Sequence, residues 1–141
     1  MTEIQTQLRN ICVRRHIEIM YTYGSRSSEI KSYVDGNGIV KQVTRSDVDI
    51  GIKTSREVHL FVKDKVSLAI DLEDLLGVSR VDLIVLAEAD PFLAANVIRG
   101  DRIYCLDEYM ADEYELYILR RAGDLAHLEH ERLNLIFGGS S

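Results

Sequence analysis

Cysteine is scarce in these 141 residues: Cys12 and Cys105 are the only two, far apart, and neither belongs to a Cys-x-x-Cys pair. They read as two structural thiols in a reducing cytoplasm. Long apolar runs are also missing. The longest, such as Val81 to Ala87, are far too short to span a bilayer and are broken by Asp82. The chain opens on Thr2-Glu3, with no basic segment leading into an apolar one, so no secretory signal is expected. An excess of positive charge is lacking too. A net charge of -6 argues against broad electrostatic binding to nucleic acid, which relies on a basic face. What is present, 46% hydrophobic and 28% charged residues, is the composition of a soluble globular domain, neither disordered nor fibrous. The length suffices for one domain with a proper core. The expected frame is a single acidic, cytoplasmic domain over 1–137 and a flexible tail over 138–141, with no membrane and no direct nucleic-acid contact.

Residues 3 to 15 carry Ile4, Leu8, Ile11 and Cys12 at spacings of three and four, which predicts a helix. Ile17, Ile19 and Tyr21 then alternate with Glu18, Met20 and Thr22, the pattern of a strand ending at Tyr23. Gly24-Ser25 follows at once, and Ser25 to Glu29 reads as the first turn of a short helix. A strand, a tight glycine turn and a helix N-terminus is the geometry that points backbone N–H groups at an anion. Around Asp35-Gly36-Asn37-Gly38 the flanking pairs Tyr33-Val34 and Ile39-Val40 fit a hairpin or a mobile loop. From Asp47 to Lys53 a second strand puts Asp47, Asp49 and Gly51 on one face and Val48, Ile50 and Ile52 on the other.

Thr54-Ser55 caps a predicted helix over about 56–76, with Val58, Val62, Val66, Ile70 and Leu76 on its buried side, stopped by Gly77. Arg80 to Ala87, nearly continuously apolar, predicts a central strand carrying one charge, Asp82. Asp90-Pro91 opens another helix that ends near Gly100. Ile103-Tyr104-Cys105 fits a short edge strand. A long C-terminal helix is expected over about 108–136, with Met110, Tyr114, Tyr117, Leu125 and Leu128 along one stripe. Strands alternating with helices give an α/β or α+β domain, a mixed sheet flanked by helices. Strand order is not legible in the pattern.

Period two in a strand sets Asp47 and Asp49 on one face, roughly 7 Å apart along the chain. Two carboxylates so placed suit hard divalent cations. Mg²⁺ in particular takes a few carboxylates and completes its shell with phosphate oxygens and water. Asp82 would be a third ligand if its strand lay beside that of Asp47. Between Val81 and Leu83 its charge is costly unless paired or metal-bound, though water or Arg80 could satisfy it near the strand's start.

Gly24-Ser25, then Ser46-Asp47-Val48-Asp49-Ile50, then Val81-Asp82-Leu83, in that order, resemble the minimal nucleotidyltransferase (MNT) domains of the polymerase-β-like superfamily. The resemblance runs from about Ile4 to about Asp107. It implies a polymerase-β-like nucleotidyltransferase fold, with ATP as substrate and two Mg²⁺ ions at the sheet's edge. Gly24 and Ser25 would hold the triphosphate, with Arg26 and Ser46 as further nucleotide contacts. Asp47, Asp49 and Asp82 would be the catalytic metal ligands. The implied chemistry is in-line attack at the α-phosphorus with pyrophosphate leaving, Asp82 accepting the proton. Residues 26 to 46, 21 in all, separate Ser25 from Asp47 where the family has roughly ten. The excess is assigned to an insertion at about 30–45, a lid, a partner contact or a neutral surface loop.

MNT proteins of this size resemble the antitoxin halves of HEPN–MNT toxin–antitoxin pairs. The resemblance implies a Mg-dependent protein adenylyltransferase that moves AMP from ATP to a tyrosine hydroxyl of a HEPN RNase toxin. A binding-only antitoxin and a small-molecule (antibiotic) nucleotidyltransferase are the alternatives. His127 and His130, three apart, lack the surroundings of an established metal motif. Tyr109, Tyr114 and Tyr117 among Glu108, Asp112, Glu113 and Glu115 read either as core or as an acidic aromatic face for a basic partner.

Overall fold

The structure, a computed structural model, describes residues 1–38 and 47–137. The elements follow in the order α1 (Glu3–Arg14), β1 (Ile17–Tyr23), α2 (Ser27–Val34), β2 (Val48–Thr54), α3 (Val62–Leu76), β3 (Val81–Val85), α4 (Pro91–Ile98), β4 (Asp101–Cys105) and α5 (Glu108–Phe137). A single 3₁₀ turn, Leu86–Glu88, joins β3 to the segment before α4. The sheet order is β3-β2-β1-β4, with β1 antiparallel to both β2 and β4 and with β2 parallel to β3. Parallel neighbours need a crossover, and α3 supplies it. The sheet is therefore mixed, as expected.

β1 is covered on both faces, which is why nearly every side chain in it is buried. On one face Met20 packs with Leu8 and Cys12 of α1, Ile30 and Val34 of α2, Val48, Ile50 and Ile52 of β2, and Leu68, Leu72 and Leu76 of α3. On the other, Ile19, Tyr21 and Tyr23 pack with Ala94, Ala95, Val97 and Ile98 of α4 and Ala111, Ile118 and Ala122 of α5. Small residues let α4 lie close to the sheet. At Gly51 a Cβ would meet Val97 Cγ1 at 2.3 Å, so only glycine fits beneath that helix.

Local signals account for most element ends. Thr2 and Gln5 form a reciprocal capping box on α1. Asp90 accepts from the N–H groups of Phe92 and Leu93 at 3.0 Å, with Pro91 at the first helical position. Gly77, at φ +68°, ends α3.

Four expectations are corrected. β3 is an edge strand, not a central one. Its apolar run reflects cover on both faces, with Leu83 packed against one core cluster and Ile84 against the other, and coverage of two faces says nothing about the number of strand neighbours. α3 begins at Val62, not near residue 56, and buries Leu68, Leu72 and Leu76. Val62, Val66 and Ile70 form a second apolar stripe at the same spacing, and it faces solvent. Tyr33-Val34 ends α2 rather than entering a hairpin, while Ile39-Val40 lies outside the described residues, as does the rest of the assigned insertion from 39 to 45. In α5 the buried stripe is Ala111, Ile118 and Ala122, with Met110 and Tyr114 partly covered. Leu125 and Leu128 are exposed because α5 runs on past the body it packs against, whereas Tyr117, beside buried Ile118, is exposed because it stands on another face of the helix.

Candidate active site

The carboxyl-terminal end of β1 delivers Tyr23 directly to Gly24. Gly24 turns the chain at φ +78°, and its carbonyl accepts the N–H of Ser27 at 3.2 Å as α2 begins. Gly24 and Ser25 are exposed. Their neighbour Arg26 is buried, and its guanidinium grips the Glu29 carboxylate, Nη2 to Oε2 at 2.9 Å and Nε to Oε1 at 3.2 Å. Ser27, also buried, has its hydroxyl 2.7 Å from the Thr22 carbonyl and 2.7 Å from Asp101 Oδ2, so the turn is tied to the start of β4.

The acidic residues come in from the other side of the turn. Tyr23 of β1 is the register partner of Asp49 in β2, and Asp49 is the register partner of Asp82 in β3. Asp47 lies two residues before Asp49 and therefore on the same face. Three aspartates thus stand along one end of the sheet, beside the Gly24 turn. A Cβ on Gly24 would lie 2.5 Å from Asp49 Oδ2, which measures how near the turn and the carboxylate are.

Electrostatics record the crowding. The Asp49 carboxyl is raised above its ordinary value, by burial first and then by Asp82 and Asp47. The Tyr23 hydroxyl is pushed up to about 12 by burial, with Asp49 and Asp82 adding to it. Arg80, just before β3, spans the outer two acids, with Nε 3.5 Å from Asp47 Oδ2 and Nη2 3.6 Å from Asp82 Oδ1. Asp82 has 49% of its side chain exposed, so the large burial cost expected for it does not arise; the edge position of β3 admits water.

The donor set is all carboxylate oxygen, which suits a hard divalent cation that also takes phosphate oxygens. The carboxylates are splayed. Among the described residues no three His, Cys, Asp or Glu side chains are gathered closely enough to enclose a metal ion. An incomplete cage of this kind is compatible with Mg²⁺, for which one or two carboxylates plus substrate phosphates suffice.

Other polar and aromatic groups lie elsewhere. Lys53 sits four residues beyond Asp49, roughly 13 Å along the strand, paired with Glu18 and 5.4 Å from the Tyr114 ring centre. Ser46 lies outside the described residues. His127 pairs with Glu131 at 3.2 Å, and His130 touches Asn134. Tyr109 and Tyr117 are exposed while Tyr114 is half-buried, so the aromatic group on α5 is mostly a surface. Sequence reasoning missed Tyr23 as a wall of the site, and missed the Ser27–Asp101 link. Residues 74 positions apart leave no local signal of contact.

Comparison with known proteins agrees with this geometry. The family model described as "Polymerase beta, Nucleotidyltransferase" matches residues 6–109. No curated protein matches the chain. Several crystal structures share the fold. A chain of a variant toxin–antitoxin complex, MntA–HpeT, superposes with a TM-score of 0.62 at 20% identity, covering 97% of this chain and 98% of that one. A chain of a toxin–antitoxin structure with AMP-PNP gives a TM-score of 0.59 at 21% identity, over 97% and 98%. A chain of the tri-AMPylated Shewanella oneidensis HEPN toxin in complex with MNT antitoxin gives 0.59 at 19% identity, over 98% and 97%. With its family model spanning most of the chain and its three aspartates brought to one sheet end, this protein belongs to the polymerase beta nucleotidyltransferase family.

Proposed function

We propose that the protein is a Mg²⁺-dependent protein adenylyltransferase that moves AMP from ATP to a tyrosine hydroxyl of a partner HEPN RNase toxin, and so acts as its antitoxin. The observation that carries this reading is the register pairing of Asp49 with Asp82, which brings Asp47, Asp49 and Asp82 to one sheet end beside the Gly24-Ser25 turn. End-to-end coverage of chains from toxin–antitoxin complexes, one holding an AMPylated HEPN toxin and one AMP-PNP, supports the partner and the nucleotide.

Exposed backbone at Gly24 and Ser25, with the Ser25 hydroxyl, would receive the triphosphate at the start of α2. Ser46, next to Asp47, is the further nucleotide contact. Asp47, Asp49 and Asp82 would hold two Mg²⁺ ions, which when bound would lower the pKa of the acceptor hydroxyl and neutralise charge on the leaving pyrophosphate. The tyrosine oxygen forms a bond to the α-phosphorus as the bond to the β-phosphate oxygen breaks. Asp82, open to solvent at the edge of the sheet, takes the hydroxyl proton. Among the described residues no helix is long and apolar enough to cross a membrane.

The splayed carboxylates favour one rival, an antitoxin that neutralises its toxin by binding alone. Label transfer separates the two. The protein is incubated with Mg²⁺, a HEPN partner and ATP labelled at either the α or the γ phosphate. Label arriving on the partner from the α position only, and lost with Asp47→Asn/Asp49→Asn, is the expected result. An unlabelled partner, bound tightly and neutralised equally by that double variant, would leave a stoichiometric antitoxin.

A further inference from the structure

Three like-charged carboxylates share one sheet end and repel one another. Arg80 answers it. Its backbone carbonyl accepts the N–H of Val48 at 3.1 Å, which fixes Arg80 to the strand between Asp47 and Asp49. From that anchor its guanidinium reaches Asp47 at 3.5 Å and Asp82 at 3.6 Å, one acid from each strand. Both distances exceed a hydrogen bond, and the Arg80 side chain is 69% exposed. Such a pair is weak and exchangeable. A guanidinium so placed occupies the same carboxylate oxygens that a divalent cation needs.

We propose that Arg80 is a tethered counter-ion that competes with divalent cations for Asp47 and Asp82 and so sets the concentration at which the site fills. The inference rests on the assignment of these aspartates as metal ligands. Without cation, Arg80 offsets part of the cluster's charge. On filling, its guanidinium must swing off both carboxylates into solvent, which its exposure permits. The competition costs affinity in the empty protein, and a neutral side chain of similar length removes that cost.

Mn²⁺ binding to the nucleotide-free protein, followed by calorimetry or by the loss of free-ion EPR signal, tests this without any reaction. Arg80→Gln should bind Mn²⁺ about 3- to 10-fold more tightly than the wild type, the scale of one or two exposed ion pairs. Arg80→Lys should stay within about twofold. Equal or weaker binding by Arg80→Gln, in a variant whose thermal unfolding matches the wild type, would overturn the counter-ion role and leave the metal site standing. Saturable binding by neither protein would overturn the metal site, and Arg80's role with it.

Discussion

Gly24 and Asp49 stand so close that a Cβ on the glycine would lie 2.5 Å from the aspartate's Oδ2. The turn that ends β1 and the acidic strand beside it therefore have one geometry between them. Gly24 serves twice, adopting φ +78° and leaving room for the carboxylate. In Gly24→Ala the backbone alone costs about 1–2 kcal/mol, while the Asp49 carboxylate can escape the new methyl only by rotating away. Nucleotidyl transfer should fall by about 10²-fold, a displacement effect larger than the stability loss. Denaturant unfolding together with the label-transfer rate checks this, and a fully active Ala variant would refute it.

Asp49 should be a residue that function retains at the expense of stability. Its folded-state pKa lies above the ordinary 3.8, so the native protein keeps the proton over a range in which the unfolded chain has lost it. Stability therefore falls as pH rises from 3.8 through the folded value, and the whole penalty is present above it. Asp49→Asn should accordingly unfold at higher urea at neutral pH, while losing transfer. The gain should shrink as the pH approaches the carboxyl's ordinary range. Urea titrations in EDTA at several pH values would show it, and a pH-independent difference would contradict the assignment.

Ser27 offers one hydroxyl proton to two acceptors, the Thr22 carbonyl and Asp101, each 2.7 Å away. Ser27→Ala should cost about 1–2 kcal/mol by leaving buried polar groups unsatisfied. With the tie to β4 gone, the Gly24-Ser25 turn loosens, and KM for ATP should rise about 3- to 10-fold with kcat changed less. A drop confined to kcat would place Ser27 elsewhere in the chemistry.

The two apolar stripes of α3 predict opposite outcomes. Leu72→Ala removes a fully buried side chain and should cost about 2–5 kcal/mol. Val66→Ala, at a position 53% exposed, should change stability by less than about 0.5 kcal/mol. Comparable losses in a urea titration would mean that the stripe at Val66 is covered in solution.

Much of the fold was legible because its causes are local. The spacing of Ile4, Leu8 and Cys12 in α1, the cap at Asp90, the stop at Gly77 and the alternation in β2 each act within a turn or a strand of where they stand, and each predicted its element. The candidate site was legible for the same reason: period two alone puts Asp47, Asp49 and Gly51 on one face.

Sequence by itself determined most of the elements, the shared face of Asp47 and Asp49, and the Gly-Ser turn that precedes them. Tertiary structure decided which of two equally periodic stripes α3 buries, since hydrophobic spacing has no preference between Val62-Val66-Ile70 and Leu68-Leu72-Leu76. It decided that β3 is an edge, because burial on both faces is the same for a strand with one neighbour or two. It also set Asp82 in register with Asp49, tied Ser27 to Asp101, and laid Arg80 across two of the three acids. Those are contacts between segments whose separation along the chain carries no periodicity, and only folding brings them within reach.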